Sequence, residues 1–416
     1  MDNGTETSVK RRQVFYIPGY DPFPPRRYRE LYRTESAAQA KISGYEIGVA
    51  GKPKDDGYGW RAAAKIDGST TVADIDVLIW SDIVRDSMSN SIPATYWQML
   101  RTSWIYITSG TLRRLMWMRK GPVIAALYPV GMLILQLLVG LLLGWFVASV
   151  VEGIVASVIG LFGWSVRFPW FVSWPIVLAI CWLVLRFCQS KDRKTYAYYL
   201  MYDYAFSAGL KGDTRPELKE RMAEFEARIS EALRSDVDEV LVVGHSSGAH
   251  LAISILAAVL RSSPPRKNGP KLGLLTLGQV VPMVSFLPKA TALRADLNYI
   301  ATSEAITWID VSAPGDGCCF ALCDPVAVSG VADSDQKWPI VISAAFTQTL
   351  APERWEELKR KYFRLHFQYL CSFDRPKDYD YFQITCGPRT LADRYRGRAS
   401  SKSRIDVVAS KYTTME

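Results

Sequence analysis

Between Lys120 and Arg186 the chain carries only two charged side chains, Glu152 and Arg167. The uncharged runs 121–151 and 168–185 enclose a shorter one, 153–166. A bilayer core takes about 20 predominantly apolar residues in helical form, so the first run spans it with length to spare and the last spans it narrowly. The reading is a transmembrane hairpin of two helices. Its turn falls between residues 151 and 170, where Glu152, Gly153, Gly163, Ser165, Arg167 and Pro169 gather. Trp145, Trp164, Trp170 and Trp174 suit membrane interfaces. A buried core hairpin would need apolar partners on every side, which the rest of the sequence does not offer.

The flanks orient the hairpin. Arg113, Arg114, Arg119 and Lys120 precede it and Arg186, Lys191, Arg193 and Lys194 follow it, whereas the connecting segment carries Arg167 alone. Positive flanks stay inside, so both long polar parts and both termini are expected to face the cytoplasm, from an inner or plasma membrane. The seven cysteines have no framework spacing and fit a reducing compartment. Cys318, Cys319 and Cys323 crowd together, but with three histidines in the chain no metal site is expected.

The net charge of +9 falls beside the spans, in Arg11, Arg12, Arg26, Arg27 and Arg29, and in Arg394, Arg396, Arg398, Lys402 and Arg404. Anionic lipid attracts such residues by about 1 kcal/mol each near the surface, so membrane lipid is the expected partner. No groove-reading motif or stacking platform supports nucleic-acid binding. With 416 residues and 49% hydrophobic content there is ample material for a large core besides the hairpin.

The chemistry-bearing stretch is Gly244-His245-Ser246-Ser247-Gly248, between the apolar run 240–243 and the helical run 249–261. It reads as strand, tight turn and helix, in which the glycines allow close approach and the serine is held on a strained backbone with its hydroxyl exposed. Ser246 is the candidate nucleophile. A serine opening a helix sits beside unpaired N–H groups that can hold the charge developing on a carbonyl oxygen under attack.

Other segments fill in a sheet. Residues 1–10 are polar and expected to be disordered. Residues 13–17 form a strand running into the Pro18-Gly19 turn, residues 26–39 an amphipathic helix, residues 44–49 and 60–66 a hairpin, and residues 75–84 a further strand. Residues 213–234 form a helix, opened by Asp213-Thr214-Arg215 with a cap before Pro216, followed by strands at 240–243, 272–281 and 305–311. Strands alternating with helices imply parallel pairing with right-handed crossovers and a doubly wound core.

A hydroxyl nucleophile needs a base, and the base an acid. His245 lies inside the turn and His250 four residues along the helix from Ser246, so neither approaches the hydroxyl easily. His245 shapes the pocket and His250 packs or caps. His366 lies far down the chain, after a helical stretch at 352–361.

The motif and its setting resemble the nucleophile elbow of the α/β-hydrolases, over residues 12–84 and 215–370. The resemblance implies a mostly parallel α/β-hydrolase-like sheet with helices on both faces, interrupted by the two-helix transmembrane hairpin. It also implies that the N–H of Ser247, with one from Gly19, Tyr20 or Asp21, holds the oxyanion. The family order Ser, Asp, His selects His366 as base. Asp316, a few residues past the strand 305–311, occupies the family's acid position. Asp324, in an Asp-Pro-Val resembling the acid site of some lipases, is second, and Asp310, within the strand, third. The family's antiparallel strands normally precede the oxyanion strand, and here almost nothing does. Insertions above the sheet are tolerated in the family as lids, and sequence leaves open whether this one roofs the site or tethers the domain.

The expected organisation is a first hydrolase-like part at 11–110, the hairpin insertion at 111–195, a second part at 196–388 and a basic tail at 389–416. The expected function is that of a membrane-anchored serine esterase or lipase-like enzyme acting on an ester or related acyl bond of a lipidic or amphipathic substrate, without a cofactor. The oligomeric state is not readable from sequence. The rival is a catalytically lapsed hydrolase scaffold serving as a membrane interaction module. A transporter or channel is weaker, since two spans without intramembrane charge offer no polar pathway.

Overall fold

Eight apolar or alternating segments pair into one sheet: β1 (Arg11–Ile17), β2 (Glu46–Gly51), β3 (Gly59–Ile66), β4 (Ser69–Val77), β5 (Glu239–His245), β6 (Lys271–Leu277), β7 (Thr307–Ser312) and β8 (Ile340–Ser343). The computed structural model describes residues 8–52, 57–88 and 91–416. The strand order is β2-β3-β4-β1-β5-β6-β7-β8. Pairing is parallel from β4 through β1 to β8, and β2 and β3 add an antiparallel edge. Every residue of β5 is buried, as befits a central strand covered on both sides.

Alternation along β5 shows the two coverings. Leu241 and Val243 join a core with Tyr28 and Tyr32 of the helix Arg26–Ser43 and with Tyr381 and Phe382. Gly244 has the opposite parity and faces the helix Gly248–Ser262: a Cβ there would lie 2.8 Å from Ala249 Cα and 2.9 Å from Ala252 Cβ. Helices therefore cover both faces of the sheet.

Several expectations are corrected. The strand at 75–84 ends earlier, because β4 stops at Val77 and Ser81–Ser87 is helical. β8 was not anticipated; its four residues are too short for a readable period. Of the segment 1–10, residues 1–7 lie outside the described residues. Val9 is buried rather than disordered, its N–H donating to Pro388 O and its carbonyl accepting from Thr71. Residues 389–416 are not a free tail. Leu391 is in the core with its N–H on Glu239, and Ser401, Ile405 and Ser410 donate backbone bonds to Val341, Leu322 and Val328.

The chain forms two compact units, one of Met1–Asp86, Tyr106–Val123 and Leu210–Glu416, the other of Ser87–Ile105 and Ile124–Gly209. These limits differ from the breaks expected at 110 and 195. The sheet belongs to the first unit. The second contains most of the helix Lys120–Gly160 and all of Trp170–Ser190, with mean hydropathies of 2.4 and 2.0. Both are long and apolar enough to cross a membrane. They meet through Gly140 and Gly144: a Cβ at Gly140 would lie 2.9 Å from Cys181 Sγ, and one at Gly144 2.5 Å from Val177 O. Small residues four apart let the two backbones close up.

Candidate active site

β5 delivers the chain to a sharp turn. Ser246 has φ 57°, a left-handed conformation costly for a residue with a side chain, and its N–H is held by Leu277 O at 2.9 Å. The turn is tight because Gly248 lies against β1, where a Cβ would sit 2.2 Å from Ile17 O. Gly19, at the exit of β1, faces the serine: a side chain there would lie 3.0 Å from Ser246 Cβ and 3.4 Å from its Oγ. Among the described residues neither the Gly19 nor the Ser247 N–H donates to a backbone carbonyl.

The loop after β1 is clamped. Asp21 accepts from Phe23 N–H at 3.0 Å and from the Tyr28 hydroxyl, and pairs with Arg27 at 2.8 Å. The Arg27 guanidinium lies 4.8 Å from the centre of the Phe367 ring, next in sequence to His366. The Tyr20 ring is buried edge-on against Trp80.

His366 ends the short helix Tyr362–His366, and its Nδ1–H donates to Asp316 Oδ2 at 2.7 Å. The same oxygen accepts from the Tyr369 hydroxyl at 3.1 Å, and Oδ1 accepts from Cys318 N–H at 2.9 Å. Burial pushes the Asp316 carboxyl up, but the His366 ring, the Cys318 N–H and the Cys319 thiol outweigh it and hold it below the usual carboxylate range. Burial first, then Asp316 itself, push Tyr369 and Cys319 up, so both remain neutral. One buried anion is left facing the imidazole. In the neutral ring, an Nδ1 that donates leaves the lone pair on Nε2.

His245 ties the two parts together. Its Nε2–H donates to His366 O at 3.0 Å, its Nδ1 accepts from the Tyr16 hydroxyl at 3.4 Å, and its ring centre lies 4.9 Å from that of His366. The tautomer follows from these partners. Burial, then the neighbouring His366, lower its pKa to about 3, so it stays neutral. The strand that carries Ser246 therefore holds the backbone of the other imidazole. The His366 ring leans on the turn after β6: Gly278, at φ 52°, leaves room that a Cβ would close to 3.0 Å from His366 Cε1. No hydrogen bond joins Ser246 Oγ to His366 among the described residues.

The other acids serve elsewhere. Asp324 caps the helix Pro325–Val328 through Val326 and Ala327 N–H and accepts from Gln336 at 2.9 Å. Asp310 lies inside β7, bonded to Thr276 at 2.6 Å. Its second oxygen has no partner, and burial is the main cause that raises its pKa to about 8. His250 has its Nδ1 unpartnered and its pKa lowered by burial to about 4.

Asp316, Cys318 and His366 bring possible metal-ligand atoms within 4.8 Å of one another. All seven cysteines are free. The loop holding Asp316 is also fastened to the start of the long apolar helix: Arg119 donates twice to Ala321 O, and Gly121 packs against Gly317.

Sequence reasoning had not assigned Tyr369, Arg27 or Gly278 to the site, nor the bond from His245 to His366. Tyr369 three residues past His366 was the one available signal. No protein-family model matches this chain, and no curated protein or solved structure is similar to it.

Proposed function

We propose that the chain is a membrane-anchored serine hydrolase of the α/β-hydrolase type, acting on an ester or related acyl bond of a lipidic or amphipathic substrate. The observation that carries the reading is the buried ionic hydrogen bond from His366 to Asp316, built against the left-handed turn that presents Ser246. Ser246 Oγ attacks the carbonyl carbon as its proton passes to His366 Nε2. Asp316 keeps the ring in that tautomer and stabilises its cation. The oxyanion is received by the N–H groups of Ser247 and of Gly19 or Tyr20. Collapse expels the leaving group, which takes the proton from His366. Water then gives a proton to His366 and its oxygen to the acyl carbon, releasing the acid and restoring the serine.

The two apolar helices cross the bilayer in this reading, with both polar parts on the Lys/Arg-rich side, the cytoplasm. The missing hydrogen bond between Ser246 and His366 is the observation on the side of a lapsed scaffold. Such bonds are often long in unliganded hydrolytic sites and tighten with substrate. A fluorophosphonate probe decides between them. Labelling of the wild type, lost in Ser246→Ala and in His366→Ala, is expected. Equal labelling of wild type and Ser246→Ala ends the proposal.

A further inference from the structure

The helix Ile92–Thr108 has two contrasting faces. On one, Ile92 and Met99 are buried in a cluster with Leu133, Cys181, Leu185, Tyr198 and Met201. Tyr96 donates from the same side to Leu133 O at 2.8 Å, and Thr95 bonds the Tyr202 hydroxyl at 2.7 Å. On the other, Trp97, Leu100 and Trp104 follow one another at steps of three and four and are 65%, 59% and 70% exposed. Two tryptophans and a leucine on one helical face are a large apolar surface to leave in water.

The register of the apolar hairpin says what lies beside that face. Gly140 opposes Cys181 and Gly144 opposes Val177. By the same antiparallel register Ser190 stands level with Gly131, and Trp170 level with Val151. The helix Trp170–Ser190 is about 31 Å long at 1.5 Å per residue, the thickness of a hydrocarbon core. The bilayer therefore matches residues 131–151 of the longer helix, and Leu133 and Leu185 lie just inside its basic-flanked boundary. Those are the residues that the helix Ile92–Thr108 packs upon. Its outward face is at the depth where indole rings are most favourably placed, apolar bodies among acyl chains and N–H groups among headgroups.

We infer that the helix Ile92–Thr108 is a third membrane-contacting element, an interfacial helix whose Trp97, Leu100 and Trp104 insert into the leaflet on the Lys120 and Ser190 side of the hairpin. The occupant of this face is lipid. The inference rests on the reading that the two apolar helices cross a bilayer, and extends it to a segment with no span of its own. It enlarges the footprint on one leaflet and continues the lipid-facing surface outward from the hairpin.

The test uses the full chain reconstituted in vesicles of phosphatidylcholine and phosphatidylglycerol, compared with the double variant Trp97→Phe, Trp104→Phe. The difference emission between the two isolates these indoles from the other tryptophans. It is expected to be roughly halved by lipid brominated high on the acyl chain, less by lipid brominated near the chain end, and little by aqueous iodide. Quenching of the difference signal by iodide and not by either bromolipid overturns the inference. The emission left in the double variant, which includes Trp174 and Trp182 of the second span, reads the spanning itself. If bromolipid leaves that emission unquenched too, the spans fail and the interfacial helix with them. If it quenches that emission alone, only the interfacial helix fails.

Discussion

Replacing Asp316 by asparagine changes one atom and discriminates among the readings of the site. The carboxylate accepts three hydrogen bonds, from His366 Nδ1 and Tyr369 on Oδ2 and from Cys318 N–H on Oδ1. An asparagine has one acceptor oxygen. If that oxygen stays with Cys318 N–H, the new amide NH2 points at His366 Nδ1, which must then accept. The imidazole proton moves to Nε2, the nitrogen that would have taken the serine proton, and the ring cation loses its buried counter-charge. In serine hydrolases such a tautomer change costs about 10^4 in kcat, or roughly 5 kcal/mol of transition-state stabilisation. The assay is hydrolysis of a short p-nitrophenyl ester by detergent-solubilised full-length protein, with folding monitored by thermal unfolding. Asp324→Asn is the control. It keeps a capping oxygen on Pro325–Val328 but loses the acceptor for Gln336 Nε2, with a stability loss of about 1 kcal/mol and unchanged kcat. A folded Asp316→Asn that keeps kcat within about ten-fold of wild type would refute the argument. Collapse of kcat in Asp324→Asn instead would move the acid there.

Two further outcomes follow from buried groups and close approaches. Asp310 has its folded pKa raised from 3.8 to about 8, so its contribution to stability is complete below the ordinary carboxylate pKa and is lost as pH rises through about 8. Asp310→Asn does not titrate. Its Tm relative to wild type should climb between about pH 5 and pH 9, by the equivalent of a few kcal/mol, and parallel profiles would contradict the burial argument. In the hairpin, Gly144→Leu drives a side chain into Val177, where a Cβ already stands 2.5 Å from the carbonyl oxygen, and should cost about 1–3 kcal/mol of thermal stability in detergent. Gly153→Leu, where a Cβ meets nothing within 4 Å, is the neutral comparison, and equal Tm values would remove the packing role of Gly144.

What sequence made legible was local. The strand, the left-handed serine and the helix from Gly248 are specified within a few residues, because glycines at 244 and 248 permit contacts that any Cβ would block. The apolar helices announce themselves by the absence of charge over lengths that water-soluble helices rarely reach. The acid was harder. Asp316 and Asp324 both follow β7 in polar turns, and only tertiary packing puts one under His366 and the other at a helix start. β8 stayed hidden because four residues bounded by Pro339 carry too little periodicity, and it joins the sheet through pairing with β7. The final segment read as a basic tail because its arginines dominate the composition. A few apolar anchors, Leu391 and Tyr395 among them, decide its place instead.

His245 shows how a local and a non-local signal merge. In the motif it is merely the residue before Ser246, and solitary burial of an imidazole would be unfavourable. Folded, it finds Tyr16 on the neighbouring strand and the carbonyl of His366, so both ring nitrogens are satisfied and it remains neutral. Its burial is thus coupled to the placement of the other imidazole, more than a hundred residues later. The acid loop is fixed from another direction, through Arg119 on Ala321 and Gly121 against Gly317, at the first turn of the long apolar helix. The long apolar helix therefore starts against the loop that carries Asp316.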